Sequence, residues 1–164
     1  MGLGAREGGF LALEAGYQEL LERGADPAAR RMLVMGMFGA GGGDLARVTG
    51  IALSDPDAAV RGQAWLTWTS SPAYRPAARD LVDLRLARER GVADVHAIGA
   101  ARNLARRAEG GLRQGALAFL RELALDDRAR LRDRRAALEA LSAYVGEAER
   151  RDLEARLAAA ARDD

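Results

Sequence analysis

The chain of 164 residues contains neither cysteine nor lysine, only 4 prolines and a single histidine, His96. Without thiols it can form no disulfide, no zinc–thiolate site and no cysteine nucleophile. That composition suits a reducing compartment, and a cytoplasmic location is the expectation. One histidine, with no acidic cluster beside it beyond Asp94, makes a poor metal site, and no Ser-His-Asp arrangement can be assembled around it. No cofactor is expected. No stretch approaches the roughly 20 apolar residues that span a bilayer. The first residues, MGLGAREGGFLALEAGYQELLERG, show no long apolar run before a small-residue cleavage site, so neither a signal peptide nor a membrane partner is expected.

Aromatic residues make up only 5% of the chain. Runs of alternating β-branched residues are nearly absent, which removes the material of strands. What is abundant is alanine, the residue with the best intrinsic helix propensity. Apolar residues reach 49% of the whole, enough for a substantial core. The expectation is an all-α protein.

All 25 basic side chains are arginines, balanced to a net charge of +1, which argues against a dedicated nucleic-acid binder. The charge is unevenly spread. Residues 1–60 carry 5 arginines against 8 acidic residues, while 102–135 carry 10 against 5. Two ends of opposite sign are therefore expected.

Glycine, proline and Asp-Pro signals cut the chain into short pieces. Helices are predicted near 7–22, 27–38, 43–53, 57–70, 74–89, 92–107, 111–125, 128–144 and 147–161. Apolar residues recur at helical spacing in each, as in Phe10, Leu13, Tyr17, Leu20 and Leu21. Nine short helices with tight connections suggest stacked hairpins, with repeats near 7–39, 43–71, 74–107 and 111–145 and a capping helix at 147–161. Aligning the second helix of each hairpin puts Leu33, Ala64, Ala100 and Ala137 in one column and Met37, Trp68, Leu104 and Leu141 in another. The variable period of 31 to 37 residues is typical of helix-pair solenoids. The fourth hairpin has a rival register two residues earlier, with Asp126 and Arg132 matching Asp55 and Arg61. In the first register Trp68 falls in a core column, and Trp65 is either an oversized packing residue or the edge of a groove.

The stretch LSDPDAAVRGQAWLTW (53–68) resembles the second helix of a HEAT repeat, with Asp55, Val60, Arg61, Ala64 and Trp68 at the matching positions. The resemblance covers about residues 7–145, closely in one repeat and loosely in the others. Arg30 fits the arginine column, whereas Ala97 stands where the third arginine belongs. What the resemblance implies is a short right-handed α-solenoid of about four hairpins, in which Asp55 and Arg61 are structural members of a hydrogen-bond ladder. It also implies a concave face lined by the second helices.

On that face helical spacing selects Arg31 and Met35, Gly62 and Leu66 with Gln63 and Trp65 beside them, then Ile98 and Arg102 with Arg106, and Arg135 with Glu139. The row runs from apolar to basic. The expected function is a non-catalytic scaffold or adaptor that binds a peptide or helix of another protein, one with an acidic part. Two other readings stay open: a HEAT-like DNA-binding protein or alkylpurine DNA glycosylase, and a lyase- or chaperone-type subunit acting with a second chain. The glycine-rich run GMFGAGGGDLARV (36–48) leads into a helix start of the kind that binds anions. It lacks the Lys-Ser/Thr of a P-loop, and a hairpin turn is the expectation there.

Overall fold

The computed structural model describes residues 3–40, 53–89 and 95–160, with side chains described over 8–37, 53–89 and 95–159. Among them are eight α-helices and no strand. They are α1 (Leu3–Glu22), α2 (Pro27–Ala40), α3 (Ala58–Ser70), α4 (Ala78–Glu89), α5 (Val95–Arg107), α6 (Gly110–Ala124), α7 (Leu131–Ser142) and α8 (Glu147–Ala160). The chain is all-α. The helix predicted at 43–53 and the glycine-rich run beyond residue 40 lie almost wholly outside the described residues.

The helix ends follow from local chemistry. At the end of α1, Gly24 takes a left-handed conformation with φ +61°. Its N–H donates to the Leu21 carbonyl, and the Ala25 N–H donates to Leu20, so two helix-end carbonyls are satisfied. A side chain there would be strained, so Gly24→Ala is expected to cost about 1–2 kcal/mol in a urea melt. An unchanged midpoint would show that the turn can relax. Asp26 then opens α2 by accepting the Ala28 N–H at 2.9 Å ahead of Pro27. Asp57 caps α3 by accepting the N–H groups of Ala59 and Val60.

Two predicted starts are corrected. The fourth described helix begins at Ala78, not at 74, because Pro76 disfavours helical backbone at Arg75. Asp80 reaches back to accept the Ala77 N–H and the Tyr74 hydroxyl, each at 2.7 Å, and anchors the start. α7 begins at Leu131 rather than 128, because Asp126 accepts the Arg128 N–H and holds residues 126–128 in a turn.

The contacts divide the chain into two compact units, Met1–Pro72 and Ala73–Asp164, and the boundary falls in the TSSPAYRP break. In the first unit α1 packs on α2 and α2 on α3. Their shared core is Phe10, Tyr17, Val34, Met37, Val60 and Ala64, with Leu13, Leu21, Leu33 and Leu53 at its edge. In the second unit α5 packs on α6 and on α7, α6 on α7, α4 on α5 and α6, and α7 on α8. Leu84, Leu104, Leu120, Leu123 and Leu141 fill its centre. Ala97, Ala100, Ala101 and Ala105 are buried along α5, and their small side chains let neighbouring helices come close. The closest approach is at Gly115 on α6, where an added Cβ would stand 2.7 Å from a Leu81 methyl of α4. Gly115→Val is expected to lose about 1–3 kcal/mol by overpacking, and adding Leu81→Ala should restore part of it. No recovery in the double variant would place the strain elsewhere.

Candidate functional site

The polar residues with the most chemical potential are buried, and each is committed to holding the fold. Asp55, 1% exposed, is the centre of the largest network. Arg30 of α2 grips its carboxylate with two N–H groups, at 2.9 and 3.1 Å. Tyr17 of α1 donates its hydroxyl at 2.5 Å, and the Asp57 N–H donates at 2.7 Å. Burial alone would raise the Asp55 pKa. The hydrogen bonds from Arg30, Tyr17 and the Asp57 backbone outweigh it and hold the carboxyl below its ordinary value. Burial first, then the bond to Asp55, pushes the Tyr17 hydroxyl well above its ordinary value. The bond to Asp55 raises Arg30 further, so the pair stays fully ionised.

The expected pairing of Asp55 with Arg61 takes a different form. Arg61 donates to the backbone carbonyls of Asp55 and Pro56, at 2.6 and 2.7 Å, while the Asp55 carboxylate belongs to Arg30. The arginine column has one recurring task, which is to satisfy carbonyls of the turn or helix end before its own helix. Arg30 donates to the Ala25 carbonyl and Arg134 to that of Ala124. Arg134 is 4% exposed, and Ala137 and Leu141 are buried beside it. The side chain of Arg132, the rival candidate, is 72% exposed. Of the two candidates, Arg134 is therefore the buried one. Ala97, in the same column, is buried without such a bond to offer.

Among the described residues the buried carboxylates Asp55, Asp80 and Asp133 each accept a hydrogen bond from a neighbouring side chain. Among the described residues no group of three or more histidine, aspartate or glutamate side chains could hold a metal ion. No helix is long and apolar enough to cross a membrane.

No family model, no curated protein and no solved structure matches this chain. The residues selected as groove contacts fall in both units. In the first, Met35 is exposed on α2, with Met32 next to it at 68% exposure. Arg31, Gln63 and Leu66 are half-buried, and Gln63 donates to Thr67 one turn on. In the second, Arg102 and Arg106 are exposed on α5, and Arg135 and Glu139 on α7.

Three expectations are corrected. Trp65 is only 9% exposed and is not a surface contact, whereas Trp68, expected in the core, is half-buried. The α3 helix turns its Val60–Ala64 line inward, with Trp65 and Thr69 one position round from it. Residue 68 continues the same line, but close to the C-terminal end of α3 it is covered less completely than residue 65. Ile98 is also buried, at 5% exposure, because α5 is covered round most of its circumference by α4, α6 and α7. What α5 keeps in solvent is a narrow strip at i, i+4, i+7 and i+11 spacing: Val95, the half-buried Gly99, Arg102 and Arg106. The sequence reading missed Val95, 59% exposed, as a member of that strip. Its spacing to Arg102 and Arg106 was the available signal.

Proposed function

We propose that this protein is a non-catalytic helical scaffold, a short α-solenoid of HEAT-like hairpins whose second helices present a surface to a partner protein. The observation that carries this reading is the division of labour among its polar residues. Asp55, Arg30, Asp80 and Arg134 bond to neighbouring backbone or to one another, and Asp133, also buried, accepts from Arg130 one turn before it. The exposed charged and methionine side chains of the second helices, by contrast, stand in solvent. Exposed methionine suits an adaptable contact, because its flexible thioether can fit more than one partner shape. The hairpin reading is supported within each unit by the packing of second helix on second helix, α2 on α3 and α5 on α7. It is also supported by α8, whose Leu153 and Leu157 are buried while its other described residues stay charged or exposed, as expected of a terminal cap.

Site-specific cross-linking tests this. A photoreactive residue at Met35 or at Arg102 should trap a discrete partner from the native host, while the same residue at Glu154 on α8 should trap none. Identical products from all three positions would overturn the scaffold reading.

A further inference from the structure

We propose that the solvent strip of α5, together with the adjoining face of α7, is a docking surface for an acidic helix of a partner protein. This rests on the scaffold reading above and names the chemistry of the partner. Most arginines of the second unit are already neutralised. Arg88 bonds Glu122 and Asp126, Arg121 bonds Glu149, and on α8 Arg150, Arg151 and Arg156 each meet a carboxylate one turn away. Arg102, Arg106 and Arg135, like Arg85 and Arg128, are different. They are exposed, and among the described residues none has a carboxylate within ion-pair distance. Arg102 and Arg106 are one turn apart on one strip, and Arg135 lies on the exposed side of α7, the helix packed against α5. Uncompensated guanidinium groups on two packed helices are complementary to carboxylates, which they bind through paired N–H donors.

The shape of the strip points to a helix. Its middle is Gly99, small and half-buried, between Val95 and Arg102. Small residues let a second helix approach to the 8–10 Å axis separation of packed helices. Val95 at the N-terminal end supplies one exposed apolar seat. A helix with glutamates one turn apart and an apolar residue beyond them would match this order.

Nucleic acid fits less well. Glu139 stands exposed one turn from Arg135 and would repel a phosphate backbone. No aromatic side chain lies on the strip to stack a base, since Tyr74 and Phe119 are buried.

The test uses the full chain and three fluorescent probes at low salt. One is a designed helical peptide with glutamate at i and i+4 and leucine one turn on. The second is the same peptide with glutamine for glutamate, and the third is a short DNA duplex. Anisotropy titrations should show the glutamate peptide binding about tenfold more tightly than the glutamine peptide and more tightly than the duplex. Arg102→Gln, Arg106→Gln and Arg135→Gln should each weaken it by about three- to fivefold, and the triple variant should abolish the preference. Glu139→Gln should tighten it by about two- to threefold. Arg151→Gln and Arg156→Gln, whose guanidinium groups are already paired, should leave binding unchanged. Circular dichroism melts of all variants should coincide, because every substitution is on the surface. Equal binding of the two peptides, tighter binding of the duplex, no binding of any probe, or equal losses from the α8 variants would each overturn the proposal. If any of these accompanies a discrete cross-link at Arg102, the scaffold reading stands and only the acidic partner falls.

Discussion

Asp55→Ala is expected to destabilise the first unit by about 3–5 kcal/mol, a large part of the stability of a small domain. The cause is not the loss of attraction in itself. Arg30 is 5% exposed and cannot follow its charge into water, so the variant leaves a buried guanidinium without its counter-ion. Three donors lose their acceptor at the same time: the Arg30 side chain, the Tyr17 hydroxyl and the Asp57 N–H. Both tryptophans of the chain lie on α3, so their fluorescence during urea unfolding reports the first unit. Removing the stranded charge as well should recover part of the loss. The double variant Arg30→Met/Asp55→Ala is expected to be more stable than Asp55→Ala alone. If the two unfold at the same midpoint, buried charge is not the cause.

The same network sets a pH dependence. The folded Asp55 pKa lies below its unfolded value, so the unfolded chain binds the proton more readily. Its stabilisation is therefore present above the unfolded carboxylate range, near pH 4, and is lost as pH falls through the folded value. Tyr17 works in the opposite sense. Its folded pKa is raised, so its contribution is present below about pH 10 and is lost only at more alkaline pH. An acid titration of tryptophan fluorescence should show a transition below pH 4 in the native protein that is absent from Asp55→Asn. A transition of equal size in both would assign it to other carboxylates.

Trp65→Ala is expected to cost about 3–5 kcal/mol, the usual range for emptying a buried aromatic site. Trp68→Ala should cost clearly less, because Trp68 is only half-buried. Trp65 adds a particular test. Its indole Nε1 is buried and has no hydrogen-bond partner, so the N–H contributes a desolvation cost with nothing in return. Trp65→Phe removes that group and keeps most of the ring, and should retain far more stability than Trp65→Ala. Circular dichroism melts give the order, since fluorescence itself changes in these variants. A larger loss from Trp68→Ala than from Trp65→Ala would restore the sequence-based order of the two residues.

The reversal of the tryptophans shows where sequence reasoning stops. Helical spacing constrained α3 strongly, because Val60 and Ala64 are one turn apart and both had to face inward. It could not say which flank of that line would be covered. Position 68 continues that line by one more turn and 65 lies one position round from it, and only the packed neighbours decide which is covered more closely. Ile98 is a similar case: its position on α5 matches that of Arg135 on α7, each helix packs against three others, and only the folded chain shows that 98 is covered while 135 is open.

The sequence by itself determined the all-α class and, for the described helices, their boundaries to within a few residues. These depend on local signals: capping aspartates, Gly24, the prolines and the 3.6-residue period. It also marked Asp55 and the arginine column as structural. The tertiary structure decided how they pair. Arg30 reaches Asp55 across 25 residues of chain, and Tyr17 reaches it across 38. Partners so far apart share no local signal, because a side chain's bonding depends on which helices pack beside it. The same holds for the surface. Arginines are frequent along the whole of the second unit, and their composition is nearly uniform. Only the folded chain separates those neutralised by a carboxylate one turn or one helix away from Arg102, Arg106 and Arg135, which face solvent with no carboxylate in reach among the described residues, as Arg85 and Arg128 also do.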